Sequence, residues 1–509
     1  MRITKPQPGE ANVQEVNVAM FLPHEMLSYL YHTEHAAFTS KLIGDESPKD
    51  FWQELEARKD PRLDGHSMKV RERWREFSIP IAWHGDGVPC ISTGKASSKT
   101  FEVYSWSSIL SSGNSLATKI YCWGYFGDNK ESEASLRPVW QKAMWSLDWA
   151  HRGVWPNCDE HGTPYNPRSL EGKRAGTPLA GGYFLTLYTF KQDLDHLARE
   201  YGLADFRSNY PCELCGAHKL LDDWGMNYNN FNAGADWMST IHTAGDWNAS
   251  HPAPHPLFQW PWITCLNIEP DEAHALHLGV SQHTLGSVLW LLVYSCESLD
   301  GSPQQNLDTV WAAIRGEYRR LKSPTQLTGM KLTQFHNPRK PYDEFPCLHI
   351  KAAETKDLVE PLRAVWERYR SPGEEDHGLI SNMFDILCTM QLILHTHRKK
   401  AILPRPVALE FRTACRDFLR EYSKLANSAD EEHVMLFNTV PKHHWVWHMG
   451  DRGMLINPRK SCCLLDEDYI GRLKEVVASC AHGTALHVIQ AKVAEQYRVG
   501  FWITTKFGV

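Results

Sequence analysis

Long apolar runs, an excess of basic charge and internal repetition are all scarce in this 509-residue chain. The longest apolar stretch, around Val288–Tyr294, is far too short to cross a bilayer, and the polar start MRITKPQPGE has no charged-then-apolar signal order, so a soluble intracellular protein is expected. Lys and Arg number 54 against 60 Asp and Glu, a net charge of −6, which excludes a simple basic coat for nucleic acid and makes any polyanion site local. The absence of a repeat period excludes solenoids and propellers. Thirteen cysteines, an odd number scattered through a large chain, point to reduced thiols and a metal site rather than a disulfide framework. What is abundant is aromatic: 20 Trp, 18 Tyr and 19 Phe, ample for a large globular core.

Texture divides the chain into four parts. Residues 1–77 carry helix-like spacing, with Ser47 and Pro48 placed to open a helix, and read as a helical lead-in. Residues 78–216 hold three short apolar runs (SIPIAWHGDGVPC, FEVYSWSSIL, ATKIYCWGYFG), a helix, a fourth run (GGYFLTLYTF) and a second helix. The order β-β-β-α-β-α is that of a ribonuclease H-like α/β fold, a mixed sheet flanked by helices. Residues 217–431 read as irregular connection followed by an all-α insertion, and residues 432–509 as the final part of the core, returning to complete the first sheet.

Three acidic positions fit a metal site. Asp86 lies in His84-Gly85-Asp86-Gly87 at the end of the first strand-like run, where an Asp-Gly turn is the competing reading. Asp193 follows the fourth strand and precedes a helix, so it is a helix N-cap or a carboxylate projecting toward Asp86, with Asp195 as a competitor. Glu467 stands in CCLLDEDYIGRLKEVV between Asp466 and Asp468, where acids also suit a helix start. Two aspartates and a glutamate on one sheet supply what two Mg²⁺ or Mn²⁺ ions need for phosphodiester cleavage.

A second set is Cys212-Glu213-Leu214-Cys215, a knuckle that presents two thiolates as half of a tetrahedral zinc site. The other half comes from elsewhere: His274 or His277 in DEAHALH, or His443, His444 or His448 in PKHHWVWHM. Cys212, Cys215, His274 and His448 form the expected set.

Taken together these blocks resemble the CACTA (En/Spm-type) transposases of the ribonuclease H-like superfamily. IPIAWHGDGVPC and FEVYSWSSIL resemble that family's first catalytic block, with Tyr104, Ser105 and Trp106 in the second segment. TFKQDLDHLAREYGLADFRSNYPCELCGA is similar to the second, carrying Asp193, Asn209, Pro211, Cys212 and Cys215. EPDEAHALHLGV matches a block with Asp271, His274 and Leu278-Gly279-Val280, and PKHHWVWHM is similar to a His-rich strand before the last block. DEDYIGRLKEVV looks like the final catalytic helix, with Glu467 four before Gly471 and seven before Lys474. The acids are spaced by 107 and then 274 residues, the second gap agreeing with a helical insertion.

The resemblance implies metal-dependent nicking of DNA followed by strand transfer, with Asp86, Asp193 and Glu467 catalytic, DNA (transposon ends and target) as partner, a homo-oligomer on DNA, no membrane, and a nuclear location. RGEYRRLK, HTHRKK and RKPYDEF are candidate phosphate contacts. Gly85, Gln192 and Asp468 stand where the family often has Thr, Gly and Arg, and no zinc-finger or helix-turn-helix module is evident at the N-terminus. These departures imply the alternative, a domesticated or truncated copy that binds DNA or protein without cutting. A ribonuclease acting on RNA shares the same chemistry.

Overall fold

The chain is described by a computed structural model covering residues 2–5, 12–92, 98–127, 130, 132–220, 222–250, 255–482 and 484–507. A small hairpin of β1 (Arg2–Lys5) and β2 (Asn12–Glu15) precedes the helices α1 (Pro23–Thr33) and α2 (Pro48–Ala57), so the lead-in is not purely helical. The main sheet has five strands: β3 (Ser78–Ser92), β4 (Ser98–Ser108), β5 (Ile120–Phe126), β6 (Phe184–Lys191) and β7 (Ile268–Glu269), in the spatial order β5-β4-β3-β6-β7. β3 pairs antiparallel with β4 and β4 with β5, whereas β3–β6 and β6–β7 are parallel. The protein is therefore of mixed α/β class.

Alternation along the central strand decides which helix lies on which face. Trp83, with Tyr104 and Trp123, packs against Trp140 of α3 (Arg137–Arg152). The opposite face presents Val103, the register partner of Asp86, and Phe101 to Tyr469, Ile470 and Leu473 of α11 (Leu464–Ala481). α12 (Leu486–Phe507) covers β5 beside it. Burial on both faces explains why Ile79, Ile81, Ala82 and Trp83 form a nearly continuous apolar run rather than an alternating one.

Two expectations need correction. The fifth strand, β7, comes from the stretch read as irregular connection, and PKHHWVWHM, likened to a strand, is helical; the two helices expected after it form and pack on the sheet. A two-residue strand carries no periodicity that a sequence can display. Beyond β7 lie α5 (Gln282–Tyr294), α6 (Pro303–Leu321), α7 (Ala352–Tyr369), α8 (Glu375–Thr396) and α9 (Arg405–Glu431). Their apolar faces join the sheet in one unbroken core that runs from Ile81 and Trp83 to Leu289, Leu362 and Phe418. α8 is long and apolar enough to cross a membrane by length and composition, and packs along α9 with Met383, Phe384 and Leu387 fully buried.

One ion cluster sets the position of α11. Asp466, in its first turn, is 1% exposed and receives Lys119 Nζ at 2.7 Å from the start of β5 and Lys191 Nζ at 2.8 Å from the end of β6. Burial would raise this carboxyl, but the two ammonium groups outweigh it and hold it well below the usual carboxylate range. Asp271 adds a second tie by accepting the Cys463 backbone N–H at 2.7 Å. Replacing Asp466 by Ala strands two buried ammonium groups, and is expected to cost about 3–5 kcal/mol. Urea unfolding followed by tryptophan fluorescence checks this; a loss below about 1 kcal/mol would contradict the clasp.

Candidate functional site: a carboxylate cleft and a Cys/His tetrad

Asp86 sits within β3, opposite Val103, and not in a turn. The flanking glycines are there for space. A Cβ at Gly85 would come within 2.8 Å of Tyr104 and His196, and one at Gly87 within 2.8 Å of the Glu102 carboxylate. Asp193 is both things the sequence allowed: it follows the end of β6 and caps α4 (Leu194–Tyr201), its Oδ1 accepting the His196 N–H at 2.6 Å. Glu467 lies in the first turn of α11. Its neighbours point elsewhere: Asp466 inward to its lysines, Asp468 to Ser115 and to Arg472 at 3.1 Å. Asp195 is half-buried and paired with Arg199 at 2.7 Å.

The three acids share one electrostatic environment. Burial, followed by the charges of Glu467 and Asp193, pushes the Asp86 carboxyl up to about 8. Glu467 is raised as well, by desolvation in the cleft and by Asp271 and Asp193. Asp86 and Glu467 thus each feel the charge of neighbouring carboxylates, with His274 as the cation among them. Like charges raise one another only at close range, and a cation relieves them. The donor set, oxygen-only on the acids, suits Mg²⁺ or Mn²⁺.

His274 is not part of the cysteine site. Its Nδ1 lies 2.5 Å from Asp271 Oδ2, at the edge of the carboxylate cleft. Burial alone would lower its pKa, but the Asp271 hydrogen bond and the charges of Asp271, Asp193 and Glu467 carry it up to about 9, so an imidazolium resides among the acids at neutral pH. Beside it opens a cavity of about 650 Å³ lined by Asp193, His274, Phe345, Lys442 and Trp445. Glu102, raised to about 7 by burial and by Glu200, lies on the opposite face behind Gly87, and no motif in the sequence singles it out.

The cysteine knuckle finds its partners on α10 (Pro441–Arg452), a helix where a His-rich strand was expected. Pro441 at the first helical position and His444 and His448 one turn apart are the signals that could have shown this. Cys215 Sγ lies 3.1 Å from His444 Nε2, Cys212 Sγ lies 3.4 Å from His448 Nε2, and the two Nε2 atoms are 3.1 Å apart. All four ligand atoms fall within 4.8 Å of one another, and all four residues are buried. Ligand–ligand edges of roughly 3.5 Å follow from Zn–S and Zn–N bonds of about 2.3 and 2.0 Å, so the tetrad fits tetrahedral zinc. His444 Nδ1 is 3.1 Å from the Tyr228 carbonyl, which directs Nε2 at the site. Among the described residues this is the group of three or more such side chains gathered so tightly; the acid trio is more open.

No protein-family model matches the chain, and no curated protein matches it in sequence.

Two outcomes are expected. Purified protein carries one zinc per chain by elemental analysis; Cys215→Ser abolishes it and lowers the thermal midpoint by on the order of 5 °C, while His274→Ala leaves the zinc content intact. For Asp86 the folded protein holds a proton that the unfolded chain releases near pH 4, so stability falls as pH rises from there toward 8. Metal-free Asp86→Asn should therefore melt about 2 °C above wild type at pH 8 and together with it at pH 4; equal melting at both would contradict the shared field.

Proposed function

We propose that this chain is a ribonuclease H-like, metal-dependent phosphodiester-cleaving protein of the DDE transposase type. The observation that carries the reading is electrostatic: Asp86 on a central strand, pushed up to about 8, feels the charges of Glu467 from a late helix and Asp193 from a strand end. The strand order and mixed pairing of the sheet, with the acids on β3, just after β6 and on a helix crossing the sheet, support the ribonuclease H-like assignment. The tightly placed Cys/His tetrad supports the resemblance of the second block.

In this reading Asp86, Asp193 and Glu467 would hold two divalent cations, which supply an activated water or hydroxyl and charge neutralisation at the departing oxygen. The chain's own residues do the rest. Asp86 must release its proton to serve as a ligand, which the loss of repulsion on cation entry favours. The carboxylates of Glu467 and Asp193 flank it, and Asp271 orients the His274 imidazolium so that its positive charge faces the incoming phosphate. No covalent enzyme intermediate is required. DNA is the substrate the resemblance implies, and strand transfer by a freed 3′-hydroxyl would use the same cleft.

A second reading, a non-cutting relative that binds DNA or protein, is favoured by one observation: His274, raised to about 9, already supplies an internal cation to the acids. Incubation with Mn²⁺ and labelled duplex DNA, single-stranded DNA and RNA separates the readings. Nicking of duplex DNA that falls about 100-fold or more, near 2.7 kcal/mol of barrier, in Asp86→Ala and in Glu467→Gln supports the nuclease. Cleavage untouched by Asp86→Ala removes the proposed site, and a folded, zinc-loaded protein with no Mn²⁺-dependent cleavage favours the second reading.

A further inference from the structure

A second cavity, of about 330 Å³, lies on the α11 face of the sheet, distinct from the one beside His274. Ala82 at its floor and Asp86 share that face of β3, four residues apart, or roughly 13 Å along the strand. Six cationic side chains line it: Lys119, Lys191, Arg398, Lys399, Arg459 and Lys460. No carboxylate does.

The charge balance around this cavity is incomplete. Asp466, behind the wall, is shared by Lys119 and Lys191, both at most 5% exposed, so a single anion faces two buried lysines; Lys191 stays charged, and burial with Lys191 beside it draws Lys119 down to about 7, leaving it short of counter-charge. Arg459 is matched by Glu272 at 3.0 Å. Lys460 donates to the Ser111 carbonyl at 2.8 Å, and burial draws it down to about 8 although Glu46 and Asp45 lie within range. Glu46 itself pairs with Lys400 and accepts the Ala401 N–H, while Asp45 takes the Ser112 hydroxyl. Arg398 and Lys399 stand exposed at the rim, at the end of the basic stretch HTHRKK. Desolvated cations in excess of their counter-charges, around a space open to solvent, are what an incoming anion compensates.

We propose that this cavity is a phosphate-binding site, taking a phosphomonoester or phosphodiester group between Lys119, Lys191 and Lys460, with Arg398 and Lys399 guiding it from the rim. Its size leaves room for a sugar attached to the phosphate. The proposal does not depend on whether the carboxylate cleft cuts nucleic acid.

Calorimetric titration of the full chain with inorganic phosphate, at constant ionic strength in chloride buffer, tests it. One saturable site is expected, weakened at least tenfold in Lys460→Gln. The exposed double variant Arg398→Gln/Lys399→Gln, which touches no buried group, should weaken it likewise. Absence of saturable binding in wild type, or unchanged affinity in the rim variant, overturns the proposal. Asp86→Ala should retain phosphate binding whatever it does to cleavage, and its loss there would also overturn a separate site. Competition by oligonucleotides identifies the source: displacement by a 5′-phosphorylated strand and not by its 5′-hydroxyl counterpart supports capture of strand ends, and equal displacement supports capture of backbone phosphates.

Discussion

A buried carboxylate between two lysines is the interaction on which the remainder of this structure rests. Asp466 gathers Lys119 from the start of β5 and Lys191 from the end of β6, so that strands on either side of β3 and β4 are tied to the first turn of one helix. The attraction operates in a dry interior where each charge would be costly alone, which makes the arrangement close to all-or-none. Its by-product is positional: with Asp466 locked inward, the next residue, Glu467, is held where its charge acts on Asp86. The lysines perform two tasks, since the same ammonium groups line the cavity on the far side of that turn.

The cleft is organised by repulsion as much as by attraction. Burial and the charges of Glu467 and Asp193 raise Asp86, and burial with Asp271 and Asp193 raises Glu467, while Asp271 is held low, despite its burial, by His274 and by the N–H groups of Cys463 and Ala273. The result is a gradient: a firmly ionised aspartate that orients an imidazolium, next to carboxyls whose proton affinity is raised. Such a gradient is what perturbed groups at working sites display.

Much of this was readable from residues. The runs around Ile79–Trp83, Phe101–Trp106, Ile120–Phe126 and Phe184–Phe190 carry strand patterns strong enough to be seen singly, and the knuckle at Cys212 and Cys215 declares itself by spacing. The choice of Glu467 over its neighbours depended on resemblance; Asp466 and Asp468 are engaged by Lys119 and Lys191 and by Ser115 and Arg472. What escaped was set by tertiary contact. Gly85 and Gly87 imitate a turn, whereas crowding by Tyr104, His196 and Glu102 demands glycine within an extended strand. In PKHHWVWHM the alternating aromatic residues imitate a strand, yet burial of Trp445, Val446, Trp447 and Met449 on every side of a helix produces the same composition. His274 was drawn to the thiols by its residue type alone; only the fold shows that Asp271 claims it.

The order in which the carboxylates occur along the chain has a bearing on synthesis. Asp86 and Asp193 leave the ribosome early, but 274 residues must follow before Glu467 does, an interval of roughly 15–55 s at ~5–20 residues per second. Because α11 is also the element that Lys119 and Lys191 wait for, a nascent or prematurely terminated chain holds two lone aspartates and no assembled cleft. The three acids thus come to share one field only after α11 has been made.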